Sequence, residues 1–230
     1  ITPTECEALV ALYVSTNGDE WKVNTGWLTA AAPCTWHGVT CVEGKIDKIN
    51  LMDNELRGPL PASIGGLSNL RQLYLQTNQL SGPIPASLSK VTNLRVLLLS
   101  FNQFNGSIPE SLGNLQDLMV LYLDGNQLSG SIPATLGHLP QLRYLFLQTN
   151  QLRGPIPATF GKLSKLQDLH LYENQLQGPI PENLAALPLL EHVILEKNDA
   201  SLCLPAKLEA WANSRDVYSP PHAGICEEAK

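Results

Sequence analysis

Residues 142–165 read LRYLFLQTNQLRGPIPATFGKLSK, and close variants of that unit recur along most of the chain. An asparagine stands at Asn54, Asn78, Asn102, Asn126, Asn150, Asn174 and Asn198, each 24 residues after the last. Glycine follows the first six at four positions, from Gly58 to Gly178, and proline follows all seven at seven positions, from Pro61 to Pro205. No insertion or deletion breaks the register. A period of this length marks a stacked array, in which each unit buries its apolar stripe only against its neighbours.

The chemistry of one unit predicts its path. Leu142, Leu145 and Leu147 point inward and Tyr144, Phe146 and Gln148 outward, so the unit opens with a short strand buried on one face. The asparagine follows where the chain leaves the strand. Its side chain both donates and accepts, so it can satisfy backbone groups of neighbouring coils that would otherwise be buried unpaired. Stacked, these asparagines form a ladder. The glycine permits a backbone that a Cβ would oppose, and the proline fixes φ with no N–H left to pair. Ile156, Phe160 and Leu163 return inward from the convex side. Seven strands about 4.8 Å apart give a parallel sheet roughly 29 Å across.

The segments LRGPLP, LSGPIP, FNGSIP, LSGSIP, LRGPIP and LQGPIP carry an LxGxIP mark. On them, over about residues 46–205, the chain resembles the plant-type leucine-rich-repeat family. The resemblance implies an α/β solenoid: a right-handed superhelix of seven 24-residue repeats with a parallel concave β-sheet and helical caps. The expected division is an N-terminal cap at 1–45, repeats at 46–202 and a C-terminal cap at 203–230. ASLCLP (200–205) loses the glycine, as expected where the last coil gives way to a cap.

The ends differ in kind from the middle. All five cysteines and all four tryptophans lie there: Cys6, Cys34, Cys41, Trp21, Trp27 and Trp36 at one end, Cys203, Cys226 and Trp211 at the other. An open stack needs such covers. Thr4 and Glu7 read as a capping box ahead of a helix carrying Leu9, Leu12 and Tyr13. PCTWHGVTC resembles the N-terminal cap of plant receptor ectodomains and their secreted relatives, which implies a Cys34–Cys41 bridge, with Cys6–Cys41 as the competing pairing. The preceding TNGDEWKVNTGWL resembles caps of algal, protist and bacterial members. PAKLEAWANS suggests a short helix placing Leu208, Trp211 and Ala212 on the last coil, and a Cys203–Cys226 bridge around it would contribute ~3 kcal/mol. Cys6 is then left buried, free or joined to another chain. With paired cysteines the opening ITPTECEALV, which lacks a leader pattern, fits a mature secreted chain or an ectodomain.

Composition excludes other classes. A net charge of −6 argues against nucleic acid, which is usually met by a basic face. No apolar run approaches the ~18–20 residues of a membrane span.

In the resembled fold the concave sheet is the usual binding surface, so its outward columns carry the functional information. Four residues before each ladder asparagine stand Asn50, Tyr74, Leu98, Tyr122, Phe146, His170 and Ile194; six before stand Lys48, Gln72, Val96, Val120, Tyr144, Asp168 and His192. Tyr74, Val96, Leu98, Val120, Tyr122, Tyr144 and Phe146 therefore form a central apolar patch. Such patches mark interaction sites, with aromatics over-represented at their centres, although β-propensity alone also favours these residues on strands. Beside the patch, Asp124, Asp168, His170, Tyr172 and His192, with Glu173 and Glu196, make a polar, mostly acidic rim. Asp168, His170 and His192 should lie together, but they match no metal or catalytic spacing and an open face does not exclude water. No metal, cofactor or enzyme activity is expected. Asn105-Gly106-Ser107 is a glycosylation sequon on the flank, away from the patch.

The expected function is extracellular recognition of a protein, peptide or polysaccharide on the concave face, in signalling or defence, or of a second copy of the chain as a homodimer. Inhibition of a secreted cell-wall-degrading hydrolase is one alternative, weakened because family inhibitors carry more cap cysteines. A structural, adhesive or ice-binding role is another, weakened by the irregular flank column Arg57, Ser81, Asn105, Ser129, Arg153 and Gln177.

Overall fold

The computed structural model describes residues 1–29, 31–214, 216–218 and 226. Its main sheet is formed by strands at Lys45–Asn50, Gln72–Tyr74, Val96–Leu98, Val120–Tyr122, Tyr144–Phe146, Asp168–His170 and His192–Ile194, all parallel. Partners stand 24 residues apart, as Tyr144 with Asp168, so each repeat column becomes a row across the sheet. Val39–Val42 folds back antiparallel on the first strand and Asp216–Tyr218 adds parallel to the last. A second, six-stranded parallel sheet runs from Arg57–Pro59 to Gln175–Leu176 along the flank. Short 3-10 turns such as Ala158–Lys162 form the convex side. The inward leucines are buried in one continuous core.

The asparagine ladder makes the stack specific. Asn126 Nδ2 donates to the carbonyls of Leu99 and Leu123 at 3.0 Å, and its Oδ1 accepts from Phe104 N–H at 3.0 Å. Asn78, Asn102, Asn150, Asn174 and Asn198 repeat that pattern one coil at a time. Asn54 has no preceding coil, and it bonds instead to both the N–H and the carbonyl of Val23 in the N-terminal segment. A second ladder crosses the convex side: Ser87, Ser111, Thr135, Thr159 and Asn183 each donate to a carbonyl 25 residues earlier. The coils approach closely there, and a Cβ on Gly137 would meet Thr159 Oγ1 at 2.4 Å.

The helix α1 (Pro3–Ser15) starts two residues earlier than expected. Its capping box is Thr2 with Glu5, not Thr4 with Glu7, because Pro3 presets φ at the first helical position. Glu5 is buried by this, accepting from Thr2 N–H at 2.8 Å and from the Asn69 amide at 3.2 Å, so the cap also ties the helix to the end of the first coil. Tyr13, Trp21, Trp27 and Trp36 pack as one aromatic cluster over the first coil. Disulfides join Cys34 to Cys41 and Cys203 to Cys226. Cys6 is a free thiol, half-buried on α1 rather than sealed in the core. At the far end Leu208 is buried and Trp211 and Ala212 pack against the core. The flank sheet stops at the seventh coil, where only an isolated bridge joins Pro179 to Cys203.

Candidate functional site

The strand alternation turns Val96, Leu98, Val120, Tyr122, Tyr144 and Phe146 outward on adjacent strands, and each is half-buried. Their neighbours cover much of each side chain. Tyr122 and Phe146 stack with centroids 4.2 Å apart and planes 3° from parallel; Phe146 and His170 stack at 4.1 Å and 4°. Three rings from three coils thus form one continuous pile along the sheet. Because the pile runs across the strands, ring faces turn to one another and ring edges turn to the concave solvent. Tyr74 lies farther along the row, with its hydroxyl donating to Gln72 and with Lys48 Nζ 4.9 Å from its ring centroid.

The polar rim divides in two. Asp168 and His192 are register partners, with Oδ1 and Nδ1 at 2.6 Å, while His170 belongs to the aromatic pile. Burial pushes the His170 imidazole below its ordinary range, against the pull of Asp168 and with the help of His192. Tyr172 lies tilted to it at 6.5 Å. Asp124, expected on the solvated rim, is instead 6% exposed. Ser100, one coil earlier, donates its hydroxyl to the Asp124 carboxylate at 2.5 Å. Burial holds that carboxyl above its usual range despite the bond. Next along the row, Gln148 is buried and its Oε1 has no hydrogen-bond partner. Among the described residues no three His, Cys, Asp or Glu side chains gather as a metal would require. No helix among them is long and apolar enough to cross a membrane.

Phe101 is the functional candidate that outward alternation passes over. It stands immediately before Asn102, on left-handed backbone with φ 54°, and is 61% exposed. Its ring lies against the bare backbone of Gly125 one coil on; a Cβ there would meet Phe101 Cδ1 at 2.7 Å. The same position in other coils holds Asp53, Thr77, Thr149, Glu173 and Lys197, so reading that column would have singled out the phenylalanine. Asn105 is exposed within the flank strand Gln103–Ser107, on the other sheet from the aromatic pile.

Comparison with known proteins places the whole arrangement. Two family models described as leucine rich repeat match residues 45–104, 92–152 and 165–187. The leucine-rich repeat receptor protein kinase EMS1 of Arabidopsis thaliana is 40% identical over 55 residues, and the match spans 24% of this chain but only 4% of that curated relative. The crystal structure of a pollen receptor kinase 3 is 34% identical, covers 79% of this chain and 88% of its own, and superposes with a TM-score of 0.70. The plant peptide hormone receptor RGFR1 in complex with RGF2 is 38% identical over 74% of this chain and 27% of its own, with a TM-score of 0.65. A plant ice-binding protein is 27% identical, covers 89% and 73% respectively, and gives a TM-score of 0.78. With its LxGxIP coils, asparagine ladder and disulfide-bearing ends, the chain belongs to the plant-type extracellular leucine-rich-repeat family.

Proposed function

We propose that this chain is an extracellular recognition module that holds a peptide or protein segment on its concave face, against Tyr74, Val96, Leu98, Val120, Tyr122, Tyr144 and Phe146. Residues 1–45 and 203–230 act as covers for the recognition array at 46–202, and Asp168, His170, Tyr172 and His192 border the ligand. Asp124 acts from beneath, through the shape it gives the floor.

The observation that carries this reading is the ring pile. Sugars pack on open ring faces, and here both faces of Phe146 and one face each of Tyr122 and His170 are covered by a neighbouring ring, with Leu98 and Ile194 next in the row beyond them. The ring edges carry a positive potential that suits the carbonyl oxygens of a peptide. RGFR1, a structural neighbour, is itself a peptide hormone receptor. An ice-binding role, suggested by another neighbour, fits less well: exposed glutamines do repeat at Gln79, Gln103, Gln127, Gln151 and Gln175, but the next outward column of the same strands, Arg57, Ser81, Asn105, Ser129, Arg153 and Gln177, is irregular. Asn105 on that flank would carry a glycan without blocking the patch.

The test is a binding screen against secreted peptides, cell-wall polysaccharides and candidate hydrolases, repeated with Tyr122→Ala. A peptide or protein hit that weakens at least tenfold in the variant supports the reading. A polysaccharide or hydrolase hit insensitive to Tyr122→Ala overturns it.

A further inference from the structure

The row just past the strand ends runs from Met52 in the first coil to Glu196 in the seventh, and it sinks at its centre. Met52 is exposed, whereas Ser100, Asp124 and Gln148, on three successive coils, are 5, 6 and 7% exposed. Backbone bonds hold these coils in step: Phe101 N–H donates to the Asp124 carbonyl at 2.9 Å, and Gly125 N–H to the Gln148 carbonyl at 3.1 Å. The stacked rings of Tyr122 and Phe146, two residues upstream, border the trough on one side. Phe101 borders the other, with its exposed ring against Gly125.

The trough holds acceptors without matching donors. Ser100 gives its one hydroxyl proton to Asp124 Oδ1. Gln148 Oε1 is sealed from solvent and accepts from nothing. Among the described residues Asp124 forms no ion pair; burial is the chief influence on its carboxyl, and no positive group offsets it. An unpartnered buried amide oxygen and an unpaired buried acid both cost stability. The coil does not require either, since Met52 and Tyr172 fill the same position elsewhere.

We infer that Ser100, Asp124 and Gln148 form a binding site for a primary ammonium group, with the Phe101 ring as its outer wall. An ammonium brings three N–H donors, and the trough offers the Asp124 carboxylate, the Ser100 Oγ lone pairs and Gln148 Oε1 to receive them. The exposed Phe101 ring adds a π face beside the cation. Entry requires the Gln148 amide to turn outward, which its unbranched side chain permits. A divalent metal fits worse, because calcium takes six or more oxygens and no three acidic, histidine or cysteine side chains gather among the described residues. The site is separate from the apolar patch, and its ammonium can belong to a free amine or to a lysine side chain of a bound protein.

The test titrates n-butylammonium into the folded chain and follows the Gly125 amide by NMR. Butanol serves as the uncharged isostere and tetramethylammonium as a cation without N–H groups. Butylammonium should give a saturable shift, with affinity at least tenfold above either control. Asp124→Asn keeps the size and an acceptor for Ser100, and should weaken butylammonium at least tenfold. Gln148→Leu should weaken it several-fold, and it decides the matter if Asp124→Asn fails to fold: unchanged affinity overturns the site. Glu196→Gln removes a charge from the same row outside the trough, and should change affinity less than twofold. Equal losses in Glu196→Gln and Asp124→Asn, or tetramethylammonium binding as tightly as butylammonium, would leave only diffuse attraction to an acidic face and overturn the site. Absence of any shift also overturns it, and leaves the concave-patch reading standing. Where the site holds, comparing cadaverine with Nα-acetyl-lysine methylamide separates the two sources, the tighter ligand marking a free diamine or a lysine side chain.

Discussion

Phe146 lies 4.2 Å from Tyr122, ring centroid to ring centroid and 3° from parallel, although the two residues stand 24 positions apart in the chain. Such a pair is coupled in stability as well as placed for binding. In a double-mutant cycle of Tyr122→Ala and Phe146→Ala, the rings should show an interaction of about 0.5–1.5 kcal/mol by thermal unfolding. Both single variants should stay folded and lose ligand affinity at least tenfold. Strictly additive unfolding would mean the rings do not stack in solution.

Asn126→Ala strikes the fold and not the patch. The side chain satisfies the Leu99 and Leu123 carbonyls and the Phe104 N–H, all buried. Its loss orphans the Phe104 N–H and takes one of two donors from each carbonyl, since Leu99 also accepts from Asn102 and Leu123 from Asn150, and should cost about 1–3 kcal/mol, read as a lowered melting temperature. Asn126→Asp should also destabilise, because the carboxylate keeps the acceptor but faces carbonyls that need a donor. A melting temperature unchanged in both variants would remove the ladder from the account of stability.

The repeat was legible because every coil uses the same backbone, so an asparagine needed in one is needed in all. Which side chains share the concave face followed from alternation, and Tyr122, Phe146 and His170 do share a row. Their stacking did not follow, since ring planes depend on side-chain torsions that no period records. The depth of Asp124 was hidden because its partner, Ser100, sits one coil away in a row of mixed residues. The convex ladder escaped for a related reason: serine, threonine and asparagine fill one role there, so no single letter repeats. The helix start was misplaced because Thr2 and Thr4 both precede a glutamate by three residues, and Pro3 between them decides.

The His170 ring gives the fold a pH dependence of definite sign. Burial holds its folded value low, while the unfolded chain titrates near the ordinary value of about 6.5. As pH falls below about 6.5 the unfolded state takes up the proton first, so the stability of the neutral stacked ring, complete above that value, is progressively lost. His170→Phe keeps an aromatic ring beside Phe146 and removes the titration. The variant should therefore gain on the wild type between about pH 7.5 and about pH 5, measured as a widening difference in melting temperature. Asp124 is present in both proteins, so its contribution largely cancels. A difference constant across that range would assign the acid sensitivity elsewhere.

Phe101 separates stability from recognition more sharply than any residue within the strands. A bulky side chain on left-handed backbone costs roughly 1–2 kcal/mol, and at 61% exposure little burial offsets it. The other coils place threonine, glycine or charged residues at this position, so the fold does not require an aromatic there. Asparagine tolerates the left-handed region well. Phe101→Asn should accordingly raise the melting temperature by about 2–4 °C, the shift expected for about 1 kcal/mol in a chain of this size. If the exposed ring anchors a ligand that spans the third and fourth coils, the same substitution should weaken binding several-fold. Gly125→Ala supplies the complementary case: its methyl would displace the Phe101 ring, lowering both stability and affinity. A Phe101→Asn protein that melts lower and binds unchanged would show instead that the ring serves packing alone.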